Sequence, residues 1–192
     1  MSSQPKNFIT EAEYLDLERH AEFKSEYYQG EMFAMSGGTL RHGLILSNLV
    51  GELRQQLKAK PCWVCSSDVR LRVTSTGLYT YPDVMVVCGQ VQFADNRSDT
   101  VLNPAVLIEV LSDSTRDDDL GRKCQHYRAL PSLTAYLTVE QNSIRAVRHV
   151  RQPDGQWLLA EFDQLDQTVE LSSIGCTLPM AEIYDKVDFS AE

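Results

Sequence analysis

The sequence predicts an α/β protein: a mixed central sheet flanked by helices, with a small β extension at the C-terminal end. Three features predict it. Two apolar runs, YPDVMVVC at 81–88 and AVLIEVL at 105–111, are too short for free-standing helices and have the β-branched content of buried strands. The stretch 39–60 instead repeats its apolar residues at helical spacing. Beyond about residue 141 the chain breaks into short strand-like segments divided by turns such as Pro153-Asp154-Gly155.

Each element has a local cause. Thr10 followed by Glu13 is a capping-box pattern, and Tyr14 with Leu17 supplies an apolar stripe, so a short amphipathic helix follows Thr10. FKSEYYQGEMFAMS (23–36) reads as a hairpin turning at Gln29-Gly30, where glycine allows the tight backbone. Gly37-Gly38 ends it. The long helix then carries Leu46, Leu49, Val50, Leu53 and Leu57 until Pro61 stops it. WVCSSDVRLRV (63–73) gives one or two strands, with alternation at Val69, Leu71 and Val73. Asp83 opens the first buried strand, and a polar loop, GQVQFADNRSD (89–99), of a composition that suits mobility, leads to the second, which ends at Ser112. A helix over 115–130 follows, with Asp117, Asp118 and Asp119 at its start, where acids favour the dipole, and Pro131 at its end. SLTAYLTV (132–139) is a further strand. Residues 1–192 are expected to form one domain, with a core at about 8–140 and the β extension at about 141–192.

Composition narrows the function. Of 192 residues, 43% are hydrophobic and 23% charged, enough for a full core. The net charge of −9 argues against charge-driven binding of nucleic acid or anionic membranes, although a local basic groove is compatible with it. No apolar run approaches the roughly 20 residues that span a bilayer, and MSSQPKNF lacks the apolar core of a signal peptide, so a cytoplasmic protein is expected. The five cysteines, at 62, 65, 88, 124 and 176, sit mostly in apolar segments and suit reduced core thiols; the lone C-x-x-C pair at 62 and 65 is a weak metal signal.

Chemistry concentrates around the two apolar runs. Asp83 and Glu109 are acids in buried-strand contexts, and Glu109 in particular needs a compensating cation. On the helix 115–130, Leu120, Lys123, Tyr127 and Leu130 fall on one stripe, which sets Lys123 among apolar positions. Lys123 either pairs with Asp119 on a solvated face or leans over the sheet toward Asp83 and Glu109. Two carboxylates and an ammonium suit Mg²⁺-assisted phosphodiester hydrolysis. Other candidates have open readings. Glu26 fits a solvated strand position, and His42 a structural hydrogen bond. Tyr127 can contact phosphate or pack on the sheet. Arg116 can contact phosphate or pair with the nearby aspartates, and the aspartate run is most simply a helix-start feature.

Pro82-Asp83, followed by Glu109 inside an apolar strand, looks like the PD-(D/E)XK nuclease superfamily, except that Leu111 stands where its lysine falls two residues after the acid. The stretch EVLSDSTRDDDLGRKCQHYRALPSL, with SEYYQGEMFAMSGGTLRHGLI upstream, resembles the Uma two family of restriction-endonuclease-like proteins, in which the next helix supplies the lysine. The resemblance covers about residues 8–140 and implies a restriction-endonuclease-like fold and an endonuclease acting on DNA. It implies Mg²⁺ or Mn²⁺ held by Asp83 and Glu109, with Lys123 positioning or activating water. Glu26 would join the acids, and His42 would lie nearby. A homodimer is expected by analogy with nucleases that cut both strands. The alternative is a nuclease-fold module that binds DNA or protein with little catalysis.

Overall fold

The computed structural model describes residues 8–113 and 115–190. Helix α1 (Glu11–His20) starts from the expected capping box: the Thr10 hydroxyl accepts from Glu13 N, and the Glu13 carboxylate accepts from Thr10 N at 2.7 Å. Strands β1 (Ser25–Tyr28) and β2 (Glu31–Ala34) form the hairpin. Its turn has positive φ at both Gln29 (49°) and Gly30 (86°). A Cβ on Gly30 would stand 2.6 Å from the Phe8 ring, so glycine is required there twice over, by backbone and by space.

Helix α2 (Leu40–Leu57) follows, capped by the Thr39 hydroxyl accepting from His42 N. It buries Ile45, Leu49, Leu53 and Leu57, a stripe at i, i+4, i+8 and i+12. The remaining elements are β3 (Cys62–Ser66), β4 (Arg70–Val73), β5 (Leu78–Thr80), β6 (Val84–Cys88), β7 (Thr100–Val101), β8 (Val106–Leu111), α3 (Arg116–Asp118), a π-helical turn (Asp119–Lys123), α4 (Cys124–Arg128), β9 (Ala135–Glu140), β10 (Ala146–Arg151), β11 (Trp157–Phe162), β12 (Thr168–Leu171), β13 (Cys176–Pro179) and α5 (Met180–Ile183).

A six-stranded sheet in the order β11-β10-β9-β8-β6-β3 is the centre of the molecule, mixed because β8 and β9 run parallel while its other pairs are antiparallel. Its strands β8 and β9 are buried along their whole length, as the continuous apolar runs require. Alternation sends Val84, Val86, Val106, Ile108 and Val110 to one face, where they pack with α2, β12, β13 and α5. Met85, Val87 and Leu107 go to the other face, against Cys124, Tyr127 and Leu130.

The expected α/β class and its mixed central sheet are present, with several differences of detail. The segment 63–73 divides between two sheets: β3 edges the central sheet, whereas β4 belongs to a five-stranded sheet in the order β2-β1-β5-β4-β7. Two strands of the C-terminal region, β10 and β11, continue the central sheet, and only the β12–β13 hairpin stands apart. The loop 89–99 is tied down, because Arg19 on α1 reaches Asp95 at 2.6 Å and Asp99 at 2.8 Å. Cys62 and Cys88 are not reduced thiols but a disulfide, since the β3–β6 register sets them directly opposite each other across 26 residues of sequence. Cys65, Cys124 and Cys176 are free thiols.

The region 115–130 is not one regular α-helix. It contains a π-helical turn at Asp119–Lys123, within which Asp119 and Lys123 are buried and Leu120 is 41% exposed. Alternation at 3.6 residues could not place that stripe correctly.

Two outcomes follow for stability. Leu49→Ala should cost about 2–5 kcal/mol in chemical denaturation, because α2 is held by this buried row. Hydrogen bonds from Arg19, the leading cause, hold the Asp99 carboxyl down at about 2 against an ordinary 3.8. A depressed carboxylate stabilises the fold above its unfolded value, so that contribution is present above pH 3.8 and is lost as pH falls toward 2. Asp99→Asn should flatten the denaturation free energy across that window.

Candidate active site

The two buried acids meet because the sheet register makes them neighbours. The β6–β8 ladder pairs Val84 with Ile108, and one step beyond its end Asp83 faces Glu109. Alternation puts Glu109 on the face of Leu107, where Tyr127 of α4 reaches its carboxyl, whereas Asp83, one residue before β6, turns its carboxyl to Val110 N and to His42 of α2. There the side chains take over from the ladder. Asp83 N donates to Glu109 Oε2 at 3.1 Å, and Val110 N donates to Asp83 Oδ2 at 2.8 Å.

Lys123 leans over the sheet to Glu109, as the second of its two readings has it, but among the described residues it makes no ion pair with Asp83, and the partner of the first reading comes with it. Its ammonium lies 2.9 Å from Glu26 Oε1, 3.0 Å from Asp119 Oδ1 and 3.8 Å from Glu109 Oε1. The Asp119 pair is therefore buried rather than solvated. Asp119 Oδ1 is charge-paired but lies off the angle of a hydrogen bond, leaving it without a hydrogen-bond partner. Glu26 arrives from β1 through the β1–β5 pairing, where Thr80 donates its hydroxyl proton to Glu26 Oε1.

The electrostatics are those of crowded buried acids. Burial, against the pull of Lys123, pushes the Glu109 carboxyl well above the usual range. Burial likewise raises Asp119. For Lys123, burial alone would lower the value, but Glu109, Glu26 and Asp119 outweigh it and hold the ammonium well above the ordinary lysine range. His42, in the first turn of α2, stands with Nε2 3.2 Å from Asp83 Oδ2, and this hydrogen bond raises the imidazole. A Cβ at Gly38 would lie 3.0 Å from His42 Nδ1, so the loop packs directly on the ring.

Two secondary candidates find other partners. Tyr127 is fully buried and donates to Glu109 Oε1 at 2.6 Å, so it packs on the sheet and orients the acid. Arg116 pairs with Glu140 at the end of β9, not with the aspartates beside it. Of those aspartates, Asp118 pairs with Arg122. Asp119 is the site residue that sequence reasoning missed. The available signal was its position four residues before a lysine on an apolar stripe: if that lysine is buried, its i−4 acid is too.

The cluster floors an open cleft of about 730 Å³ that Asp83, Glu109, Val110, Asp119, Lys123 and His42 all line. A hard divalent cation fits this donor set by chemistry. Mg²⁺ takes one or two carboxylates and keeps several waters. Asp83 and Glu109 provide two, the cleft admits water, and the acids Glu26, Asp83, Glu109 and Asp119 outnumber the one lysine, leaving Asp119 Oδ1 with an ion pair but no hydrogen bond. As they stand, no group of three or more His, Cys, Asp or Glu side chains among the described residues is placed to hold a metal ion.

The description "Putative restriction endonuclease" belongs to a family model, Uma2, that matches residues 11–181. The chain belongs to the Uma2 family. That membership puts it among nuclease-like proteins. Two Synechocystis sp. proteins are similar to this Uma2 chain: sll1609, 35% identical over 85% of this chain and 93% of its own, and slr1290, 32% identical over 97% of each. A crystal structure from Anabaena variabilis, described as a putative nuclease belonging to DUF820, superposes with a TM-score of 0.73 over 95% of this chain and 98% of that one. At 19% identity it shows a shared fold. No helix among the described residues is long and apolar enough to cross a membrane.

Replacing the cation tests how the site is held. Lys123→Met leaves Glu26, Glu109 and Asp119 without their ammonium and should destabilise the protein by about 3–5 kcal/mol at neutral pH. A carboxyl raised in the folded state weakens the fold above its unfolded value, so this loss should shrink as the pH falls and Glu109 and Asp119 protonate. Urea denaturation at a series of pH values measures it; a loss independent of pH would contradict the charge explanation.

Proposed function

We propose that this Uma2 protein is a metal-dependent endonuclease that hydrolyses phosphodiester bonds in DNA at the cleft floored by Asp83, Glu109 and Lys123. One observation carries the reading: a buried ammonium held by three carboxylates, beside a fourth at Asp83, opens onto solvent instead of being sealed in a core. Such a cluster is costly to fold, and perturbed titrating groups of this kind concentrate where chemistry is done.

Asp83 and Glu109 would hold Mg²⁺ or Mn²⁺, with the Val110 carbonyl and water completing the coordination. The ion would supply positive charge at the phosphate and lower the pKa of water. Lys123 acts as a cation, not a base, because its three acids keep it protonated. It therefore donates to the attacking water or to charge developing on the phosphoryl oxygens. Glu26 and Asp119 hold the ammonium in place, Tyr127 fixes the Glu109 carboxyl, and His42 fixes Asp83. The N-terminal turn of α2, which carries no acid, lines the same cleft and offers a further positive end to a phosphate.

Purified protein incubated with supercoiled and linear DNA in Mg²⁺ or Mn²⁺ should cleave, and Asp83→Asn and Lys123→Ala should each slow cleavage by about 10²-fold or more. Cleavage unchanged in both variants sinks the assignment.

A second reading, a nuclease-fold binding module, has an observation in its favour. Both Glu109 oxygens already accept hydrogen bonds, from Tyr127 and from Asp83 N. Calorimetric titration separates the two. A catalytic site binds Mn²⁺ and loses that binding in Asp83→Asn, whereas a module gives no metal heat in either protein.

A further inference from the structure

The groups assigned to chemistry lie at the bottom of the cleft. Glu109, Asp119 and Lys123 are 3%, 2% and 6% exposed, so a phosphodiester must descend to reach them. A cleft of about 730 Å³ is in the range, roughly 300–1,000 Å³, that encloses one small ligand. That is room for a nucleotide-sized segment. Duplex DNA is a stiff rod, and a flexible unpaired segment bends into a recess of this size at lower cost.

The rim points the same way. Proteins that track a duplex backbone do so with Lys and Arg, each releasing counterions. Here Lys24 pairs with Asp68 at 2.5 Å, and Glu22 and Asp113 add negative charge to the cleft wall. What the rim does offer is a ring. Phe23, between α1 and β1, lines the cleft yet is 77% exposed. An exposed aromatic over a site that handles phosphate is a platform for an unpaired base, and stacking needs no net positive charge.

We infer that the cleft binds an unpaired nucleotide segment, such as a single strand or a flap, with one base stacked on Phe23 and its phosphodiester directed down toward Asp83 and Glu109. The inference rests on the nuclease reading for the identity of its ligand, and it specifies the substrate class.

Fluorescence anisotropy of the full chain tests it, with Ca²⁺ replacing Mg²⁺ so that binding is read without cleavage. The probes are a labelled oligodeoxythymidine, a blunt duplex, and a duplex with an unpaired tail. The single strand and the tailed duplex should bind at least about tenfold more tightly than the blunt duplex. Phe23→Ala should weaken single-strand binding by about 5- to 100-fold, the range for losing one stacked base. Phe23→Trp should keep it and show quenched emission on binding.

Equal or tighter binding of the blunt duplex, no change in Phe23→Ala, or no measurable binding to any probe overturns the inference. Cleavage in Mg²⁺ is scored separately. Duplex cleavage insensitive to Phe23 overturns this inference and spares the nuclease reading; Phe23-dependent single-strand binding without cleavage does the reverse.

Discussion

The placement of one ammonium organises the molecule. Lys123 is enclosed by carboxylates from three different elements: Glu26 from β1, Glu109 from β8 and Asp119 from its own π-helical turn. No one of these acids could be buried alone, since an unpaired carboxylate in a low-dielectric interior is expelled or protonated. Their common dependence on Lys123 couples the two sheets to the helical segment. Asp119 and Lys123, four residues apart, both face inward there, while Leu120 stands at 41% exposure.

Such a site is kept in place by the rest of the fold. The central sheet is packed on both faces, by α2 with the β12–β13 hairpin and α5 on one side and by α4 with strands of the second sheet on the other. Rigid apolar packing lets the acids be held where charge repulsion would drive them apart. The neighbours that touch them divide the labour: Tyr127 and Asp83 N satisfy Glu109, while His42 and Val110 N satisfy Asp83 Oδ2. What is left over is an excess of acid facing an open cleft, which is the condition a divalent cation would relieve.

Much of the fold was legible because its causes are local. The capping box at Thr10, the Gln29-Gly30 turn, the α2 stripe and the two buried strands each follow from a few adjacent residues. The readings that failed concern partners far apart in the chain. Arg116 pairs across 24 residues with Glu140 rather than with the aspartates beside it, and Cys62 meets Cys88 through strand register. The loop at 89–99 looks free by composition and is instead tied by Arg19 from the other end of the chain.

By itself, then, the sequence determined that two acids lie in buried strands and that a lysine shares an apolar stripe, because burial and periodicity are written in short runs of side chains. It also carried the family resemblance that the comparisons bore out. Only the tertiary structure decided that Asp83 and Glu109 face each other one step past a ladder, that Asp119 is a fourth acid of the cluster, and that the Tyr127 hydroxyl donates to Glu109. Those facts depend on strand register and on the pitch of one helical turn, and both are set by packing across the whole core.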